Sequence, residues 1–516
     1  MQGYARWGFM LFVLTATASA AEPLPVRAPA APPVSAEDLA ATVKAETAFA
    51  IDLFRELGGE KPNDSVLVAP FSIGAALTMA AEGAVGETRT EMEKTLHLPP
   101  GNLAGVHRGY AALRHKLVPA DDPPALAAKL TQLRSQLDAA NKQGQTLANA
   151  GKYQEAQKAS AGAQKLADEI NALVKQSRPY ELRVANALWA EKTYPFAPHY
   201  LAALQPHYGA VLFPMDFRNQ SERGREQING WVAQNTNQRI RELIASGMLN
   251  ERTRLVITNS VFFLGEWQTP FEKSSTQPAK FMRADNSTVE VPLMHKSYLR
   301  CGYAAFNGSG TAFTTPTEVS INTPDSDPAL YPAADGYVTL TLPYRGDRLV
   351  MTLVLPRSPD GLPALEKKLT ADAAAGWSRV ASRSVHTFVP RFKLAAEYAL
   401  NEPLTALGMK RAFIDTARPD GAQFDGMTTS KSQDDRLYIT AVVHKTFLDV
   451  NEKGTEAAAA SAVIFAAPTA APGDFEPPKT RPFTPTFKAD HPYLCLIQDR
   501  ETGAVLFIGR VTEPKE

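Results

Sequence analysis

The sequence predicts a chain that mixes α-helices and β-strands around a sizeable core, and three stretches carry that reading. From Ala36 the pattern is helical, with Ala45, Phe49, Ala50, Leu53 and Phe54 on one face. A short strand then stops at Pro70, and a second helix follows in which Ser72 is placed as a cap. Small residues at 74, 75, 76, 80 and 81 let this helix approach its neighbours closely, as a buried central helix would. Near the other end, Thr446, Phe447, Leu448, Asp449 and Val450 read as a strand that runs on into alanines. A hydrophobic fraction of 44% is ample for such a core, and 516 residues allow several domains or one large fold.

Composition excludes several functions. Lys plus Arg and Asp plus Glu both total 54, so the net charge is zero. That balance gives no whole-chain footprint for nucleic acid or an anionic membrane, and neither partner is expected. Cys301 and Cys495 provide no disulfide framework; they could pair at most once, and their apolar strand-like settings read as core. At the N-terminus, Arg6 precedes an apolar stretch from Trp7 to Leu14, followed by Ala18, Ser19 and Ala20, a small-x-small cleavage pattern. Residues 1–20 are therefore expected to be a signal peptide, and 21–35 a Pro/Ala-rich tether. The mature protein is expected to be exported, periplasmic or extracellular.

The run Glu452-Lys-Gly-Thr-Glu-Ala-Ala-Ala-Ala-Ser-Ala462 is the most informative feature. Alanine is a good helix former and a poor strand former, so an Ala run that continues a strand needs a reason. Side chains small enough for the segment to slip between strands already packed supply one. Alone, an Ala-rich linker would be the simpler reading. The run resembles the hinge of the serpin reactive-centre loop through Glu452, Gly454, Thr455, Glu456, Ala457, Ala458, Ala459 and Ala460. Further blocks resemble the same family in order: residues 63–99, 184–217, 228–271, 338–356, 389–409 and 491–510. The resemblance implies one α+β serpin domain over 36–516, three sheets wrapped by helices, with an exposed reactive-centre loop region at 452–490. Two insertions interrupt it. Residues 119–178 carry Leu126, Leu130, Leu133, Leu137 and then Leu166, Ile170 and Leu173 at helical steps, which predicts an inserted helical hairpin. Residues 307–335 are rich in Gly, Ser, Thr and Pro without periodicity and read as a surface loop.

No metal-spaced His/Cys cluster, phosphate-cradling Gly loop or Gly-x-Ser-x-Gly elbow appears, so no enzyme chemistry, metal or cofactor is expected. The resemblance instead gives structural roles. It places Ser72, Asn259 and His444 in a polar shutter beneath the main sheet, with Ala69 and Ala75 standing where many relatives carry hydroxyls. It places Trp267 and an Arg391–Glu452 ion pair at the breach, where the loop first enters. The implied function is suicide-substrate inhibition of serine proteases by a monomer, through a covalent acyl complex. Family spacing from Gly454 puts the scissile residue at Pro468. Small residues and a preceding Pro favour the Thr469–Ala470 bond, then Pro468–Thr469, and elastase-like targets. The alternatives are a non-inhibitory serpin, disfavoured by a hinge free of bulk and charge, and an adaptor that acts through the hairpin. Arg108, Arg114 and Lys116 lie near where some serpins bind sulfated polysaccharide, although three charges more commonly make a solvated face.

Overall fold

The computed structural model describes residues 33–516 except 60, 62, 209–211, 237, 239, 433–435 and 456–478. The expected signal peptide and nearly all of the tether lie outside the described residues, as do Glu456, Ala457, Ala458, Ala459, Ala460, Pro468, Thr469 and Ala470. Among the described residues, strands gather into sheets of ten, six and two.

The six-stranded sheet positions the site. Its order is Phe392–Ala399, Ile439–Asn451, Gly454–Thr455, Leu255–Glu266, Tyr180–Glu191 and Leu212–Met215. The central strand Leu255–Glu266 is nearly continuous in apolar and β-branched residues, as a strand covered on both faces must be. One face packs on the helix Pro70–Glu82, which is buried over almost its whole length. Gly74 is needed there, since a Cβ would fall 2.4 Å from the Tyr110 hydroxyl. The helix begins on a Pro with Ala69 before it and no side-chain cap, so Ser72 sits inside the first turn and is free for other bonds. The opposite face is closed by the helix Phe217–Asn235, whose Ile228, Trp231 and Val232 pack on Trp189, Val256 and Val443.

The ten-stranded sheet is organised by the 19-residue strand Thr288–Phe306. One end of it pairs with Tyr337–Pro343, and its length pairs with Ser382–Pro390 across a register shift. Cys301 and Cys495 are buried and unpaired, and burial pushes both thiols up to about 12.

The two insertions differ in kind. In residues 119–178, helices Pro124–Asn149 and Tyr153–Val174 lie against each other along a seam of Leu130, Leu133, Leu137, Ala163 and Ile170. Residues 307–335 are more than a surface loop. They contain the strand Glu318–Ser320, which pairs with Thr480–Pro482 from the far side of the loop region.

One buried acid lies away from the site. Glu46 is 1% exposed, accepts long contacts from Thr47 Oγ1 and Val505 N, both at 3.4 Å, and burial pushes its carboxyl up to about 8. A group that holds its proton more tightly when folded stabilises the fold fully below its unfolded value of 4.5 and loses that contribution as pH rises toward 8. Glu46→Gln should therefore flatten the fall in melting temperature between about pH 4.5 and 8. Parallel pH profiles for both proteins would contradict this.

Candidate functional site

The central sheet is zipped at one end and split at the other. Strands Ile439–Asn451 and Leu255–Glu266 run parallel and pair directly from Ile439 and Leu255 up to Thr446 and Val261. Beyond that point they separate, and Gly454–Thr455 lies between them, antiparallel to both. Chain reversal at Glu452 and Lys453 thus brings Gly454 and Thr455 back as a two-residue strand between them.

At the zipped part, Ser72, Asn259 and His444 come together, all buried. Asn259 Oδ1 accepts from Ser72 Oγ at 2.8 Å and from His444 Nδ1 at 2.7 Å. The Ala69 backbone N–H donates to His444 Nε2 at 3.2 Å, so Nε2 is an acceptor and Nδ1 carries the proton. Ala69 therefore contributes without a hydroxyl. Asn186 completes the set: it accepts from Asn259 Nδ2 at 2.8 Å and donates to the Ser72 carbonyl at 3.0 Å. Burial pushes the His444 imidazole down to about 3, and a proton on Nε2 would face a donor. Two hydroxyls on the same strands, Ser260 and Thr446, are buried with no partner among the described residues.

At the split end, Thr455 is fully buried and its Oγ1 lies 2.6 Å from the Tyr344 hydroxyl. Tyr344 stacks on Trp267 at 4.7 Å. Trp267 clamps the reversal from both sides: its indole Nε1 donates to Asn451 O at 2.9 Å and its backbone N–H to Lys453 O at 2.8 Å. Gly454 has φ 154° and passes so close to the neighbouring strand that a Cβ would meet Gly265 O at 2.0 Å. Glu452 is nearly buried. Its Oε1 accepts from Thr276 Oγ1 at 2.8 Å, while Arg391 Nε stands 3.7 Å from Oε2 and 3.1 Å separates Arg391 from Glu516. The neutral hydroxyl contact is thus shorter than the ion pair, which at 40% exposure of Arg391 contributes little.

The hairpin reaches this mouth. Arg134 stands 3.3 Å from Glu266, the residue paired with Gly454, and Arg345 stands 3.6 Å from the same carboxylate. Arg345 also donates to Val174 O at 2.6 Å and to Arg178 O, capping the second hairpin helix. The three basic residues singled out in the sequence each have a partner on the body. Arg108 bonds Asp38 at 2.8 Å, Arg114 the carbonyls of Tyr208 and His207, and Lys116 Glu501 at 2.8 Å. Among the described residues no cluster of His, Cys, Asp or Glu could hold a metal, and no helix is long and apolar enough to cross a membrane.

The family model for serpins, serine protease inhibitors, matches residues 44–131 and 123–514. The chain belongs to the serpin family. It is 31% identical over 478 residues to the bovine leukocyte elastase inhibitor, covering 91% of this chain and 98% of that one. It is 32% identical over 475 residues to a serpin-like protein of Thermococcus kodakarensis, covering 92% and 86%. Among solved structures, Serpin48 of Tenebrio molitor superposes with a TM-score of 0.64 at 21% identity, covering 94% of this chain and 100% of that one. Uncleaved ovalbumin superposes at 0.62 and 23%, covering 92% and 100%. The family is one of protease inhibitors and not of catalysts.

Its pH behaviour follows from His444. An imidazole held neutral in the fold and free to charge when unfolded stabilises fully above its ordinary 6.5, and that contribution is lost as pH falls toward about 3. The His444 ring nitrogens should show the neutral Nδ1–H form by NMR at pH 5.5, where an exposed histidine is mostly charged. A charged His444 signal there, with the fold intact, would refute the assignment.

Proposed function

We propose that this serpin is an exported suicide-substrate inhibitor of serine proteases with an elastase-like preference. The observation that carries the reading is the hinge itself: Gly454 and Thr455 already occupy the first two places of a strand between Asn451 and Glu266.

The pairing extends by arithmetic. Thr455 lies opposite Gly265 and Val450, and continuing both ladders sets Ser461 opposite Asn259 on one side and His444 on the other. Insertion must part those two residues and break their 2.7 Å bond, and a hydroxyl is what would arrive between them. The same count sets Phe465 opposite Leu255, the foot of the strand, so a scissile bond a few residues further on would follow a full-length strand. Thr469–Ala470 fits that position, with Pro468–Thr469 second. Residues 457–462 carry nothing larger than Ser, which suits a slot between packed strands.

The chemistry belongs to the protease. Its serine attacks the Thr469 carbonyl, the amine of Ala470 leaves with the C-terminal fragment, and the acyl ester remains on the new chain end. Insertion of residues 456–465 before water attacks that ester would carry the protease to the far end of the sheet. The leukocyte elastase inhibitors among the relatives and the small residues near the bond both support elastase-like targets. The hairpin's apolar seam is closed on itself and its Arg134 touches the mouth of the sheet, which favours a role in the hinge over an adaptor role.

A strand bonded on both sides adds about ten hydrogen bonds net, roughly 10 kcal/mol at ~1 kcal/mol each. Cutting between residues 466 and 472 should raise the melting temperature by on the order of 20 °C. Unchanged melting after the cut would sink the reading. Thr455→Arg would place a charge at a fully buried site, and this variant should be cut as an ordinary substrate without forming a denaturant-resistant complex.

A further inference from the structure

The arm that follows the proposed scissile bond is held by the second insertion. Thr480–Pro482 pairs with Glu318–Ser320, setting Thr480 opposite Ser320 and Arg481 opposite Val319. Backbone bonds extend the pairing on both sides: Ile321 N donates to Lys479 O at 3.2 Å, and Phe483 N to Thr317 O at 2.9 Å. Arg481 donates to Asp325 Oδ1 at 2.8 Å and to Thr323 O at 2.6 Å. Beneath, Val319, Tyr331 and Phe483 form a small buried cluster of their own. Arg383 stitches the base, donating to Pro316 O at 3.0 Å and Phe483 O at 2.9 Å with its guanidinium over the Phe483 ring.

We infer that residues 316–331 form a specificity strap that withdraws Lys479 and Arg481 from trypsin-like proteases. The inference rests on the reading of 452–490 as a protease-facing loop. Residues 456–478 contain no Lys or Arg, so the only basic residues between Thr455 and Pro482 are Lys479 and Arg481, both held against the strap. A serine protease binds its substrate as an extended strand and places the scissile carbonyl in its own donor site. At Lys479 that carbonyl already accepts from Ile321, and the next residue is already paired with Ser320. At Arg481 the side chain is held by Asp325, and the bond that follows joins Pro482, which has no N–H to offer the enzyme's strand. Lys479–Thr480 is therefore the bond the strap guards. Left open, it would let an enzyme cut the arm beyond the insertable segment and consume the inhibitor without trapping.

The strap also sets the far end of the presented loop, so the segment on offer runs from Thr455 to Lys479 between two fixed points. Between those points, residues 456–478 carry no basic side chain.

Trypsin digestion of the full chain, followed by mass spectrometry of the fragment beginning at Thr480, tests this. A synthetic peptide of residues 472–486 gives the unprotected rate. Lys479–Thr480 should be cut at least about a hundredfold more slowly in the folded protein than in the peptide, because cleavage must wait for local opening. Asp325→Ala, and separately Val319→Asp, should speed that cut by roughly tenfold or more while leaving elastase cleavage within 456–478 unchanged. Equal rates in protein and peptide would overturn the strap, as would variants cut no faster than the parent. The parent-against-peptide comparison needs no variant to fold. Protection of one bond is also read independently of whether any protease is trapped, so failure of the inhibitor reading would show separately.

Discussion

The hydrogen bond from His444 to Asn259, 2.7 Å long and fully buried, is the constraint on which the central sheet depends. It joins the two middle strands at the point where a further strand would part them. Every neighbour is arranged to keep it: Ser72 and Asn186 fix the amide of Asn259, and the Ala69 N–H fixes the tautomer of His444. A neutral hydrogen bond of this kind contributes only about 0.5–1.5 kcal/mol net. This bond therefore defines the geometry of the closed sheet more than it adds to its stability. On the same two strands, the hydroxyls of Ser260 and Thr446 are buried with no partner among the described residues.

The split end is where the two middle strands already stand apart. Gly454 and Thr455 fill two places between the strands, and the pocket around them is specific: Tyr344 for the Thr455 hydroxyl, Trp267 for the reversing backbone, Thr276 for the Glu452 carboxylate. Burial together with nearby Lys273 holds the Lys453 ammonium below its usual range, which fits a crowded mouth. Here the hairpin touches the split end, because Arg134 and Arg345 converge on Glu266, the residue paired with Gly454.

Legibility in the sequence followed the range over which a signal acts. The hinge could be read because one local constraint, side-chain size, shows as a run of Ala. The seam of the hairpin could be read because leucines at helical steps are a local pattern. Ser72, Asn259 and His444 are far apart in the chain and have no shared spacing, so only the family resemblance joined them. Asn186, Tyr344 and Thr276 carried no signal: each is an ordinary residue whose role is set by the register of a distant strand. The capping role expected of Ser72 fails for a related reason, since the Pro at the helix start fixes the boundary two residues earlier and frees its hydroxyl for Asn259. Residues 307–335 read as a loop because a three-residue strand has no periodicity, and its partner lies at 480–482.

The most direct test is a crystal structure of the chain after cleavage between residues 466 and 472. Residues 456–465 should fill the sheet as a strand, moving the backbones of Asn259 and His444 apart by about one inter-strand spacing, ~4.8 Å, with the Ser461 hydroxyl between them. A cut form in which His444 still bonds Asn259 directly, with the loop outside the sheet, would contradict the central claim.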